Sequence, residues 1–301
     1  MGKFKRNTLD KSKGITGWNF VVIATALAAI FTLYPVINSL VLSTMSGKGV
    51  VYEYVGLGNI KRLFSDLVFR TALKNTFIYF IFQVPIMLTL ALIIASVLND
   101  KKLKFKGLFR TAIFLPCVTS LVAYSILFKS MFGADGIVNS TLLAINLIAE
   151  PISWLRDPLW SKVTVILAIT WRWTGYNMIF YLAGLQNINP NIYEAAEIDG
   201  ASKVRQFFTI TVPLLKPIIL FTSIMSTIGT LQLFDEVVNL TGGGASTPSL
   251  NATITLSQYI YDLSFKFVPN FGYAATVSYV IVFFIAILAI IQFKMAGDKN
   301  D

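Results

Sequence analysis

Six stretches of the chain stay apolar for about 20 residues or more, the length a helix needs to cross a hydrocarbon core. They are residues 18–43, 76–98, 111–132, 162–185, 213–235 and 272–293. Lipid offers no partner to an open N–H or C=O, so each stretch is expected to be helical. The pattern predicts an all-α membrane protein with six transmembrane helices. The first stretch follows a basic tail and competes with a cleaved leader peptide. It is too long for one, however, and ends at Tyr34-Pro35 and polar residues with no small-residue cleavage site, so it reads as a retained span.

Two connections are long. Residues 187–212 separate the fourth and fifth stretches, and 236–271 separate the fifth and sixth, passing through Leu240-Thr241-Gly242-Gly243-Gly244. Ahead of the second stretch, Ile60, Leu63, Phe64 and Leu67 recur at helical spacing, which predicts a short helix along the outer membrane surface. No Pro- or Ser-rich linker and no repeat of 20–50 residues divides the chain. One domain is expected over 18–295, with a loop at 187–213 and cytoplasmic tails over 1–17 and 296–301.

Lys and Arg in the connections set the orientation. Lys3, Lys5, Arg6, Lys11 and Lys13 precede the first span, and Lys101, Lys102, Lys104, Lys106 and Arg110 follow the second. Lys203, Arg205 and Lys216 follow the fourth, and Lys294 and Lys299 follow the sixth. These positions agree with both termini in the cytoplasm. The first outer loop dissents, with Lys48, Lys61, Arg62, Arg70 and Lys74. The net charge of +10 lies beside apolar runs and forms no long basic face, so no nucleic-acid partner is expected.

Composition then removes whole classes of chemistry. Charged residues are 13% of the chain, against about a quarter in a soluble domain. With no histidine, His metal sites and Ser-His-Asp triads are excluded; with Cys117 alone, so are an intrachain disulfide and a Cys-x-x-Cys site. No Gly-x-x-x-x-Gly-Lys-Ser/Thr loop is present to bind ATP. No catalytic set, metal or cofactor is predicted.

Within 187–213, Asn191 is expected to cap a short helix, with Glu194 three residues on reaching back. Gly200 suits its left-handed end, Ser202 caps a second helix to about Thr209, and Pro213 stops it. The result is two short helices at a glycine turn on the cytoplasmic face. Docking into a partner's groove and lying on the membrane are both open to such a pair.

The ordered set Glu194-Ala195-Ala196, Asp199-Gly200-Ala201, Phe207, Ile210 and Pro213 resembles the coupling motif of ATP-binding-cassette importer permeases. The wider resemblance, over about residues 18–295, is to carbohydrate permeases of the maltose, lactose and glycerol-phosphate type, binding-protein-dependent inner-membrane components. It rests also on Tyr54-Val55-Gly56-Leu57-Gly58-Asn59, Leu63-Phe64 with Asp66, Ala72-Leu73-Lys74-Asn75-Thr76, Leu115-Pro116, Leu185-Gln186 with Ile188, and Leu240-Thr241-Gly242-Gly243.

The resemblance implies a type I importer permease of the bacterial cytoplasmic membrane. The helix pair, through Glu194, Ala195, Ala196, Asp199, Gly200 and Ala201, would engage a dimer of cytoplasmic ATPase subunits, which would carry out the hydrolysis. A second homologous permease would complete the pore, and an extracytoplasmic sugar-binding protein would deliver a carbohydrate, a di- or oligosaccharide. By the same resemblance, Trp173, Tyr176 and Asn177 of span four and Ser226, Gly229, Thr230 and Gln232 of span five would face the solute. Span four carries Trp171-Arg172-Trp173-Thr174-Gly175-Tyr176-Asn177, and aromatic platforms beside amides suit sugar rings and hydroxyls. The competing reading makes these rings interface-belt aromatics and Arg172 a snorkelling cation. Gln83 and the pair Asp235-Glu236 are weaker candidates, the acids being expected at the interface.

Rival functions are a glycerol-phosphate or other non-sugar importer, an ion-coupled secondary transporter and an intramembrane enzyme. The secondary transporter lacks paired intramembrane acids and inverted repeats, and the enzyme lacks a nucleophile–base pair. An anionic solute would need convergent basic groups, and only Arg172 lies clearly within a span.

Overall fold

The computed structural model describes residues 17–18, 21–47, 49, 51–100, 102–242 and 252–297. The expectations placed on residues 1–16, Lys48, Lys101, Gly243-Gly244 and 298–301 lie outside the described residues. The chain runs through helix α1 (Val21–Ser43) into a small antiparallel ladder, β1 (Met45–Ser46) on β2 (Glu53–Tyr54). Helices α2 (Gly58–Ser65) and α3 (Leu67–Asn99) follow, then α4 (Lys106–Val118) and α5 (Leu121–Met131). An outer helix α6 (Ile137–Ala144) leads to α7 (Trp160–Gln186). The short helix pair expected on the cytoplasmic face is α8 (Pro190–Ile198) and α9 (Lys203–Leu214), which turns into α10 (Lys216–Leu231). Helices α11 (Asp235–Thr241), α12 (Leu256–Tyr261) and α13 (Phe271–Gly297) complete the fold.

Helices α1, α3 and α13 are long and apolar enough to cross a membrane singly. The expected third and fifth spans are each broken: α4 and α5 meet at 101°, and α9 and α10 at 71°. Proline chemistry accounts for both corrections. Pro116 in the last turn of α4 donates no backbone bond, and Thr119 and Ser120 turn extended, the Thr119 hydroxyl donating to the Pro116 carbonyl at 2.7 Å. Pro213 does not stop the second cytoplasmic helix as expected. The helix passes through it and breaks at Leu215, between Pro213 and Pro217, where two ladder donors are missing. The turn Phe207–Thr211 just before is wound as a π-helix. Counting each bent pair once and adding α7, 27 residues long but not apolar enough to qualify, the described residues hold six helical passages.

Polar side chains on α3 organise the outer half. A buried extended segment, 252–255, passes among the helices, and irregular backbone at that depth needs partners from protein. Asn75 donates to the carbonyls of Ala252 and Ile254 at 3.0 Å, Tyr79 donates to Thr253, and the Leu256 N–H donates to Thr76. At the head of α3, Asp66 caps the helix by accepting from the Val68 and Phe69 N–H groups. Its other oxygen accepts from the Tyr259 and Tyr273 hydroxyls at 2.5 and 2.7 Å, tying α3 to α12 and α13. The surface helix expected around Ile60 is α2, which ends at Asp66; Ile60, Phe64 and Leu67 are exposed and Leu63 is buried.

The inner half is held by close helix packing. Ala91, Ala95 and Leu98 of α3 bury Met178, Tyr181, Leu182 and Leu185 of α7. Gly175 lets α7 touch α4 directly: a Cβ there would lie 2.0 Å from the Ile113 carbonyl oxygen. This approach fixes α7 at the centre and turns its polar face toward α3 and α10.

Candidate functional site

Four residues of α7, Ile169, Trp173, Tyr176 and Asn177, recur at i, i+4, i+7 and i+8 and so share one face. That face, Gln83 and Met87 of α3, and Met225, Ser226, Gly229 and Thr230 of α10 enclose a cavity of about 360 Å³. Its far wall is the turn from Gln232 to Glu236. All seven residues expected to face a solute therefore lie around one space. A cavity of this size sits at the low end of the ~300–1,000 Å³ typical of ligand pockets.

The aromatic part is a corner. Trp173 and Tyr176 meet edge to face with centroids 5.7 Å apart, and Tyr176 continues to Phe180 at 5.1 Å. The polar part is a chain of short side chains. Thr230 donates to Gln83 Oε1 at 2.8 Å, and Ser226 donates to Asn177 Oδ1 at 3.4 Å. Both amides spend N–H groups on the Met87 sulfur, at 3.0 Å from Gln83 and 3.6 Å from Asn177, a weak acceptor that a hydroxyl oxygen would improve upon. Gly229 faces the open space; a Cβ there would meet nothing within 4 Å. Gln232 is exposed at the rim.

Among the lining residues outside the expected seven are Met87, Gln83 and Glu236. Met87 carried no signal. Gln83, a weaker candidate from the sequence, is buried and lines the cavity. Glu236, expected at the interface beside Asp235, is 8% exposed and accepts a hydrogen bond from the Trp173 indole N–H at 3.2 Å. Only its neighbour Asp235 is exposed. Arg172, one residue from Trp173, is not in the cavity wall, though its guanidinium lies 5.7 Å from the Trp173 ring centre. Its guanidinium lies 5.0 Å from the Tyr124 ring centre and 3.5 Å from the Thr119 carbonyl at the α4–α5 break. There its charge faces the carbonyl end of α4.

The cytoplasmic pair has its own geometry. The cap of α8 is Asn189, not Asn191: Asn189 accepts from the Asn191 N–H at 3.0 Å, and Pro190 takes the first helical position, where its missing donor costs nothing. Gly200 is left-handed, φ 76°, as expected. The Ala201 N–H returns to the Ala196 carbonyl and the Gly200 N–H to that of Glu197, a Schellman end. Ser202 caps α9 through the Arg205 N–H. Glu197 pairs with Lys203 across the turn, and that contact holds its carboxyl below the ordinary glutamate range although it is fully exposed. Glu194, Ala195, Asp199 and Gly200 are exposed, while Ala196 and Ala201 are half-buried. Ile198 protrudes at 87% exposure beside them. Tyr193 hydrogen-bonds Thr211 at 2.9 Å, joining α8 to the π-turn that leads into α10.

Comparison with known proteins agrees with this layout. Residues 104–296 match the family model described as binding-protein-dependent transport system inner membrane component. The lactose transport system permease protein LacF of Rhizobium radiobacter is 59% identical over 300 residues, covering 100% of both chains. The arabinooligosaccharides transport system permease protein AraP of Bacillus subtilis is 33% identical, covering 89% of this chain and 84% of its own. A crystal structure of a bacterial ABC transporter that imports the acidic polysaccharide alginate superposes with a TM-score of 0.83 at 22% identity, covering 99% of this chain and 100% of that one.

Proposed function

Because the chain belongs to the family of binding-protein-dependent transport system inner-membrane components, we propose that it forms half of the pathway by which an ATP-driven importer takes up a short oligosaccharide. The relatives named for lactose and arabinooligosaccharides support a saccharide as solute. The observation that carries the reading is the convergence of Trp173, Tyr176, Asn177, Ser226, Gly229 and Thr230 on one cavity. It offers ring faces to the apolar side of a sugar and amide and hydroxyl groups to its edge. The limited volume favours a disaccharide of the lactose class over a long chain.

In this reading an external binding protein delivers the sugar, a second permease supplies the facing wall, and two ATPase subunits hydrolyse ATP. Both termini lie in the cytoplasm. The coupling residues Glu194, Ala195, Ala196, Asp199, Gly200 and Ala201 form the exposed knuckle that an ATPase cleft takes up. The Tyr193–Thr211 bond passes its displacement to α10, whose Ser226, Gly229 and Thr230 line the cavity. Hydrolysis then biases one of two packings of the same helices.

The test is lactose uptake by the reconstituted importer with Gly229→Leu. The new side chain enters open space, so assembly is kept while the cavity is filled. Loss of uptake with ATPase and partner permease still bound supports the reading. Unchanged uptake places the solute elsewhere.

A further inference from the structure

Among the described residues the cavity wall holds two acidic side chains, Asp235 and Glu236, and no Lys or Arg. Glu236 is the inner one, and its polar partner is the neutral Trp173 N–H. The ion pairs among the described residues, Glu197–Lys203 and Asp262–Lys266, both lie elsewhere. Arg172, the one basic residue nearby in sequence, lies behind the wall, bonded to the Thr119 carbonyl and over the Tyr124 and Trp173 rings at 5.0 and 5.7 Å, and forms no ion pair with Glu236. An unpaired carboxylate in a wall that is mostly apolar acts through a low dielectric, where charge repulsion reaches farther than in water. The same carboxylate accepts hydrogen bonds from hydroxyls at no such cost.

We propose that Glu236 makes the cavity selective for uncharged saccharides by repelling anionic ones such as uronates and sugar phosphates. The proposal rests on the cavity being the saccharide site and adds which saccharides it admits. A fold shared with an importer of acidic alginate does not oppose it, since the fold fixes where a solute sits and the lining side chains fix its charge.

The charge of the cavity can be read directly. Cys117 is the sole cysteine, so Cys117→Ser with Gly229→Cys leaves one thiol, facing open space. The assembled importer in lipid nanodiscs is treated with cationic 2-aminoethyl or anionic 2-sulfonatoethyl methanethiosulfonate. Each rate is divided by that for a small free thiol. The cationic reagent is expected to be favoured about ten-fold, falling to about two-fold with Glu236→Gln and changing little with Asp235→Asn. Ser226→Cys serves as a second reporter. A ratio that Glu236→Gln leaves unchanged, or a cavity closed to both reagents at both positions, overturns the proposal. Protection by lactose is scored separately. A charge preference without protection sinks the saccharide reading and leaves the acidic cavity standing; protection without a charge preference does the reverse.

Discussion

Asp66 shows how much one side chain can hold. Burial works against its ionisation, but donation from Tyr259, Tyr273 and the Phe69 and Val68 N–H groups outweighs that and keeps its pKa below the ordinary 3.8. A depressed folded value means the stabilisation is complete above about pH 4 and is lost as pH falls through the folded value. Asp66→Ala strands four donors and a helix cap and should cost about 2–4 kcal/mol. Melting of the purified complex against pH is the check: the two proteins should differ at pH 6 and the gap should narrow as pH falls below 4, and parallel curves would refute the assignment. Trp173 has two separable roles, ring and N–H. Trp173→Phe keeps a ring but leaves Glu236 without its donor, and should raise the half-saturation for sugar several-fold. Trp173→Ala removes both and should raise it about ten- to a hundred-fold, consistent with the ~1–3 kcal/mol of an aromatic contact and one hydrogen bond. Equal effects would mean that the ring contributes nothing.

Between elements, two glycines of α7 make opposite forecasts. A Cβ at Gly175 would meet backbone of α4, which cannot move aside, whereas at Gly184 it would meet the ends of the Ile218 and Leu215 side chains, which can. Gly175→Ala should therefore destabilise the fold by about 3 kcal/mol or more and Gly184→Ala by less than about 1.5 kcal/mol. Thermal denaturation of both in detergent decides it, and a milder Gly175 variant would contradict the α4–α7 contact. Local chemistry of this kind was partly legible in the sequence. Gly200 and Ser202 announced the cytoplasmic turn because their roles depend on backbone within four residues. Asn191 was the wrong cap because Pro190, with no donor to lose, let Asn189 start the helix two residues earlier. The breaks at Thr119-Ser120 and Leu215 stayed hidden because hydropathy runs on unchanged across a bend. Gln83 and Glu236 stood only as weaker candidates and Met87 not at all: they come from α3 and the start of α11, and only packing brings them beside Trp173. Several motif residues that carried the resemblance prove to be structural, Asn75 holding the 252–255 segment and Asp66 the outer junction.

For the molecule as a whole, the surfaces left unfilled say what must join it. Helix α1 buries none of its apolar residues within the chain, and the described wall of the cavity comes from α3, α7, α10 and the turn into α11. At the other surface the α8–α9 knuckle leaves Ile198, Val204 and Phe208 exposed around an exposed Gly200. These surfaces are separate, so the two partnerships they imply should be separable too. Gly200→Val places a β-branched residue at φ 76°, a conformation costing about 1–3 kcal/mol, yet its Cβ meets nothing within the chain. Its effect should therefore be confined to the knuckle. Purified gently from its native membrane, the unaltered chain should bring an ATPase and a second permease with it. The Gly200→Val chain should keep the permease, whose contacts lie among the spans, and lose most of the ATPase together with sugar-stimulated hydrolysis. Loss of both partners would mean that the ATPases hold the two permeases together. Retention of both with normal coupling would mean that the knuckle is only a loop at the membrane surface and that force enters the spans by another route.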